Sequence, residues 1–373
     1  MKLVRILLLP LAFLCVALIR ILYRFGVVVR MGELWSERIG HLVGNSECYL
    51  CERDEGLHKA IDLWTHAGNI TNKQVAKMLS RAMYVDPTRF VKLVALCNHM
   101  FEGWQYHTVG PKQWDRDIHN LFEKHPPHLK FTASEERRGE RQLKAMGVRG
   151  KFVCLIVRDS AFFASHKDMA HHTYRDSDIQ TYMLACLELV SRGYTVIRMG
   201  AKVDKPLPIK HTKVIDYATN GMRSDFMDVY LGAKCSFCVS TGTGFDSIPY
   251  AFRRPICYVN FVPVEYLFTF VQNSVAIWKH HHKDGKRMTF NEIIDSGAGQ
   301  FMDREQFIEA GITLKDNTPE EIRDAVLEMC QPSTVDQQWF WDQFPIAISP
   351  FNARALHGEI RMRIGSKFLE SYK

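Results

Sequence analysis

Between residues 152 and 260 the chain repeats one pattern, a short apolar run that stops at a polar loop, often one containing glycine. The run 152–157 ends at Arg158 and Asp159, and the run 195–197 ends at Arg198, Met199 and Gly200. A third run, 237–239, ends at Ser240, Thr241, Gly242, Thr243 and Gly244. Short β-branched runs separated by helical periodicity are the signature of parallel strands, whose two faces are both covered. The segment 177–192 supplies such a helix between two runs, with Ser177 placed to cap it and Gly193 to stop it. This alternation predicts a doubly wound α/β domain. Ligands of such sheets bind beyond the carboxyl ends of the strands. Arginines, hydroxyls and glycines gathered at that edge suit a phosphate group, such as that of a nucleotide-sugar.

A chain of 373 residues exceeds one ordinary core and predicts two domains. Its net charge of +7 fits an anionic substrate or an anionic membrane surface, and is too diffuse to imply nucleic acid. The ten cysteines are scattered, and Cys15, Cys97, Cys154, Cys186 and Cys257 lie inside apolar runs, as reduced, buried thiols do. Two Cys-x-x-Cys pairs, Cys48 with Cys51 and Cys235 with Cys238, are far apart. The second lies in a strand-like run, where residues three apart point to opposite faces, so no metal centre is expected.

Residues 6–19 are uninterruptedly apolar and flanked by Lys2, Arg5, Arg20 and Arg24. The run is shorter than the roughly 20 residues of a spanning helix, although snorkelling arginines extend it. Without a small-residue cleavage site it reads as an uncleaved anchor, spanning or interfacial, on the cytoplasmic face of a membrane. A cleaved signal peptide is the alternative. The expected organisation is an anchor at 1–24, an acceptor-side domain at 25–147, a nucleotide-sugar-binding domain at 148–335 and a helical tail at 336–373. Strands are expected at 27–30, 59–64, 195–200, 214–217 and, last, 256–259. Helices are expected at 71–83, 90–100, 134–147, 226–231, 246–252 and 319–329.

Three motifs carry chemistry. In the first, Arg38, Gly40, His41, Asn45 and Glu47 occupy a glycine-bearing loop entering a helix through 48–53. His41 is placed there to take a proton from a sugar hydroxyl, with Glu47 orienting it or acting as base itself. A loop glycine with a polar capping cluster is the other reading. In the second, Arg158 and Asp159 pair with Tyr174 and Arg175 further on. Either arginine can bind a phosphate bidentately, or form ordinary salt bridges with Asp159 or Asp178. In the third, Ser240, Thr241, Gly242, Thr243 and Gly244 form a strand-to-helix turn suited to an oxyanion nest, or a tight turn without a ligand. The loop lacks the lysine of a P-loop. Asp115, Arg116 and Asp117 read as a solvated face, and His280, His281 and His282 as an exposed loop. A gating role for His171 and His172 has no support beyond their nearness to the second motif.

With these residues in place the chain resembles a family of putative bacterial glycosyltransferases from surface-polysaccharide gene sets. The resemblance is carried by residues 38–42, 174–179 and 193–200, by Asp216 with Tyr217, and by 225–228. A more distant similarity is to inverting fucosyltransferases of the GT-B type. The resemblance implies an α/β, GT-B-like fold with two Rossmann-like domains facing a cleft, preceded by the N-terminal anchor. It implies a nucleotide-sugar donor, a glycan or lipid-linked acceptor, and no cofactor or required metal. On this reading His41 and Glu47 are catalytic. Arg158, Asp159, Tyr174, Arg175, Arg198, Gly200, Asp216, Tyr217 and residues 240–244 bind the donor. Arg38, Gly40 and Asn45 serve the acceptor or the domain interface. A polysaccharide pyruvyl or glycerophosphate transferase and a non-catalytic glycan-assembly protein are the alternatives.

Overall fold

In a computed structural model of the chain, residues 2–109, 115–162, 172–349 and 353–372 are described. They form two compact units, Met1–Asp115 with Leu121–Phe131, and Arg116–Asn120 with Thr132–Lys373.

The first unit runs α1 (Lys2–Arg24), β1 (Val29–Leu34), α2 (Ile39–Asp54), β2 (Ile61–His66), α3 (Lys73–Ala82), β3 (Val85–Asp86), α4 (Phe90–Asn98) and α5 (Leu121–Lys124). Its three strands are parallel in the order β1-β2-β3. Register places Arg30 opposite Asp62, and the guanidinium grips the carboxylate through Nε and Nη2, both at 2.7 Å. Tyr49 of α2 donates to the same carboxylate at 2.6 Å, tying the helix to the sheet. Asn72 caps α3 by accepting from the Val75 N–H at 3.0 Å. One face of α1 is core: Ala12, Val16 and Ile19 pack with Val29 and Met31 of β1 and with Val91, Val94 and Cys97 of α4.

The second unit begins with α6 (Ala133–Ala145), β4 (Phe152–Ile156), α7 (Met183–Ser191), β5 (Thr195–Arg198) and β6 (Val214–Asp216). It continues through α8 (Asp225–Lys234), β7 (Cys238–Ser240), α9 (Ser247–Ala251), β8 (Ile256–Phe261) and β9 (Ser274–Trp278). There follow β10 (His280–Lys283), β11 (Lys286–Arg287), α10 (Phe290–Asp295), α11 (Arg304–Glu309), β12 (Ile312–Lys315), α12 (Pro319–Cys330), α13 (Gln338–Trp341), β13 (Met362–Ile364) and α14 (Ser366–Glu370). Seven strands make one parallel sheet in the order β13-β9-β8-β7-β4-β5-β6. Its central strands, β4, β7 and β8, are buried almost throughout, which is why they read as continuous apolar runs.

Several expectations need correction. The division falls at 131/132, ahead of the expected 147/148, because α6 packs within the second unit. Gly139 lies where a Cβ would come within 2.2 Å of the Tyr230 ring, and Glu136 accepts from Lys234 at 2.8 Å. The strand at 256–261 is not the last, since β9 extends the sheet and β13, from the expected helical tail, pairs with β9. The histidine triplet is a strand, not an exposed loop. His280 meets Glu321 at 2.9 Å, while burial holds the His281 imidazole down to about 4 and hence neutral. Asp115, Arg116 and Asp117 are not a solvated face either. The Arg116 guanidinium is buried and donates to the carbonyls of Tyr266 and Leu267 at 2.6 and 2.8 Å. All ten cysteines are free thiols, buried except for the half-buried Cys15 and Cys330.

The α6–α8 contact yields a test. Gly139→Ala is expected to destabilise the protein by ~1–3 kcal/mol through overpacking against Tyr230. Denaturant unfolding checks this, and the cost of Gly139→Ala should shrink when it is measured in a Tyr230→Ala background.

Candidate functional site

Counted from β4 outward, the strands run β4, β5, β6 to one side and β7, β8, β9 to the other. This is the doubly wound dinucleotide-fold order, in which the crevice opens where the order reverses, here between β4 and β7. The residues following those two strands are Arg158 and the 240–244 loop. The Arg158 N–H donates to Thr241 Oγ1 at 3.0 Å and so joins the two loops across the reversal. Arg175 reaches the same place, its Nη2 donating to the Gly242 carbonyl. Gly242 is required there: its φ is +80°, and a Cβ would lie 2.7 Å from the Phe261 ring. The structure thus brings together Arg158, Arg175 and the third motif, as their sequence positions alone did not.

The electrostatics of this corner are unusual. Burial, and after it the positive charge of Arg175, lower the Arg158 guanidinium to about 10, so it stays charged at neutral pH. Arg158 Nε donates to Asp176 at 3.3 Å, and burial raises that carboxyl above the ordinary range against the pull of Arg158 and Lys279. Two further groups here are buried without a hydrogen-bond partner among the described residues, the Tyr174 hydroxyl and Arg175 Nε. Two clustered cations and two buried donors are what an anion with several oxygens would satisfy.

The 240–244 loop is not the open nest expected from its composition. Asp246 fills it. Ser240 Oγ donates to Asp246 Oδ1 at 2.6 Å, the Thr243 N–H to Oδ2 at 2.8 Å and Thr243 Oγ1 to Oδ1 at 3.2 Å. The Gly242 N–H in turn donates to Ser240 Oγ at 3.0 Å. These hydroxyls and amides shape the loop. The Thr-x-x-Asp spacing from Thr243 to Asp246, a capping box, was the signal for this role.

Other residues expected at the donor also bond within the protein. Arg198 is 1 % exposed, and its Nη1 donates to the Lys205 carbonyl at 2.5 Å and to Asp216 at 3.4 Å. Asp216 also accepts from the Leu207 N–H at 2.9 Å. Asp159 accepts from the N–H groups of Ala161 and Asp204, both at 3.0 Å. Tyr217 is fully buried on Asp228, and Gly200 makes room for Val203. A cavity of about 340 Å³ opens beside these residues, lined by Asp159, Asp176, Asp178 and Asp204 together with Arg198 and Lys205. Lys279, just beyond β9, was not among the expected site residues. Its buried ammonium donates to the Asp176 carbonyl at 2.5 Å and pairs with Asp316 at 2.8 Å, pinning the segment that carries Arg175. His172 packs near Tyr174, with ring centroids 6.4 Å apart, and His171 lies outside the described residues.

In the first unit the expected loop is helix, since α2 begins at Ile39 with exposed Arg38 at its N-cap and Gly40 and His41 in its first turn. His41 is half-buried, lies tilted against Trp35 with ring centroids 4.4 Å apart and places Nδ1 3.3 Å from the buried Asn45 Oδ1. With Nδ1 carrying the proton, Nε2 is the basic nitrogen. Glu47 cannot serve as a base for a bound substrate. It is fully buried, and its carboxylate accepts from the His128 N–H at 3.3 Å and lies 3.2 Å from His128 Nδ1. Among the described residues, Glu47, Cys51 and His128 also form the group whose potential metal-ligand atoms lie within 4.8 Å of one another. Asp54 holds the far side of the same imidazole at 3.0 Å, so the cluster is a closed hydrogen-bonded network.

No family model matches the chain, and no curated protein matches it. Among solved structures it is similar to glycosyltransferase family 9 from Veillonella parvula, with 9 % identity over 82 % of this chain and 98 % of that one, at a TM-score of 0.46. It is also similar to TibC of enterotoxigenic E. coli, described as an iron-containing dodecameric glycosyltransferase, with 14 % identity over 82 % and 76 % of the two chains and a TM-score of 0.41. A third is E. coli ADP-heptose heptosyltransferase II, with 13 % identity over 76 % and 97 % and a TM-score of 0.36. Likenesses at this level carry no argument about activity, which rests on the residues above.

Asp246 supplies a pH test. Burial raises its carboxyl from 3.8 to about 6 in the folded chain. A raised carboxyl binds its proton more tightly folded than unfolded, so stability is lost as pH rises from about 3.8 to 6. Asp246→Asn is expected to flatten this part of the stability–pH profile, measured by urea unfolding between pH 4 and 7.

Proposed function

We propose that the chain is a glycosyltransferase on a GT-B-like plan, taking a sugar from a nucleotide-sugar donor to a glycan or lipid-linked acceptor at a membrane surface. The observation that carries this reading is the meeting of Arg158 and Arg175 at the reversal between β4 and β7, beside a buried Tyr174 hydroxyl that has no hydrogen-bond partner among the described residues. In the proposed reaction an acceptor hydroxyl oxygen bonds to the anomeric carbon as the bond from that carbon to the diphosphate oxygen breaks. The electron pair leaves with the nucleoside diphosphate, whose growing charge Arg158 and Arg175 offset. Fixed cations suit this task because they need no reorganisation as charge develops, and no metal is assigned a step. The acceptor's proton passes to a general base or to solvent. Lys279 and Asp246 are positioning residues, one for the segment bearing Arg175 and the other for the 240–244 loop.

The test uses the full chain in detergent, since removing α1 would uncover Val91, Val94 and Cys97. Nucleoside diphosphates and nucleotide-sugars are screened by thermal shift, with and without magnesium. One diphosphate is expected to raise the melting temperature without metal. Arg158→Ala or Arg175→Ala should weaken it tenfold or more, as loss of a charged hydrogen bond of about 1.5–3 kcal/mol implies. Arg158→Lys keeps the charge but loses the fork, and is expected to recover part of the binding. A full-chain protein that melts cooperatively yet responds to no nucleotide, or responds equally in the arginine variants, contradicts the reading.

A further inference from the structure

The first 32 residues contain no acidic side chain and include Lys2, Arg5, Arg20, Arg24 and Arg30. Within them α1 is the one described helix long and apolar enough to cross a membrane. Its two faces differ sharply. Ala12 and Val16 are 0 % and 1 % exposed, and with Ile19 they close the core beneath α4 and β1. Leu7, Leu11, Leu14, Leu18 and Ile21, with Phe25 just beyond the helix, recur every three or four residues and stay exposed, Leu7 and Phe25 at 72 % and 79 %. Exposed aromatic residues of the same unit flank the helix. Phe101 lies 6.2 Å from the Phe13 ring and under the Arg20 guanidinium, and Tyr106 stacks on Tyr23 at 5.7 Å.

From this arrangement we infer that α1 lies flat in the interface of an anionic lipid bilayer, with its leucine stripe in the acyl boundary, and does not cross the membrane. A spanning orientation would require Ala12, Val16 and Ile19 to leave α4, exposing Val91, Val94 and Cys97 to water. Pro10, inside α1, also leaves the Ile6 carbonyl without its helical donor, a cost that interfacial water relieves and the acyl core does not. The charge pattern selects lipid over a second copy of the chain. Two such helices face to face would bring their arginines together with no acidic residue in either helix to offset them, whereas anionic headgroups complement them. Tyrosine rings and arginines beside an apolar stripe are the usual furniture of the headgroup level. The inference does not depend on the transferase reading.

The test is binding of the full chain to vesicles of phosphatidylcholine with about 30 % phosphatidylglycerol, to which basic segments are attracted, and to pure phosphatidylcholine, followed by flotation. Binding is expected to be tighter to the anionic vesicles. Leu7→Asp, Leu14→Asp and Leu18→Asp together should reduce it by roughly a hundredfold or more while the melting temperature in detergent holds. Depth is read by quenching from brominated lipids, as the increment over the parent protein in Leu7→Trp, Leu14→Trp and Ile21→Trp. A flat helix places all three at one shallow depth. A span would place position 14 deeper than the others by about 10 Å, seven residues at 1.5 Å each, and would overturn the inference. So would a parent protein that ignores both vesicles, including one that self-associates through the stripe.

Discussion

The second unit is organised around the reversal of strand order between β4 and β7. Neighbouring crossovers leave this sheet in opposite directions there, so the chain ends that follow β4 and β7 are spread apart and a crevice opens at their carboxyl edge. The hydrogen bond from the Arg158 N–H to Thr241 Oγ1 spans that opening. It fixes the Arg158 backbone against the loop whose glycine carbonyl in turn accepts from Arg175. Remove the reversal, and the two arginines have no reason to meet.

The charges around the crevice are shared among neighbours: Arg158 donates to Asp176, and Lys279 pairs with Asp316. Asp176 lies between Arg158 and Lys279, yet burial raises its carboxyl, so it is a weakened counter-charge for that guanidinium and that ammonium. Asp246, by contrast, is fully engaged by Ser240 and Thr243 and serves the loop alone. Buried ionic groups are costly unless paired and hydrogen-bonded. A bound diphosphate would complete the arginine corner in the way that Asp246 already completes the loop.

The strands of the second unit were readable because β4, β7 and β8 are buried on both faces and written as continuous apolar runs. What the sequence concealed was of two kinds. Long-range pairing was one: β13 joins β9 from far along the chain, and nothing local in Met362–Ile364 announces it. The other was burial of polar residues by partners remote in sequence. Glu47 looked like a base and is sealed by His128, and the histidine triplet looked exposed but is a strand whose His280 meets Glu321. Of the candidate site, the arginines and the glycine at 242 were visible as types in suitable places. The hydroxyls were misread because their acceptor, Asp246, was not included.

The two units meet different demands, one presenting an apolar helix face and the other an electropositive corner at a sheet edge. The central claim concerns that corner, and photo-crosslinking of the full chain with azido nucleoside diphosphates tests it most directly. Mapped by peptide mass spectrometry, the label is predicted to fall on the segments around Arg158, Tyr174 to Arg175 and Ser240 to Asp246, and to be displaced by unlabelled diphosphate. Label confined to the first unit, or insensitive to competing diphosphate, would contradict it.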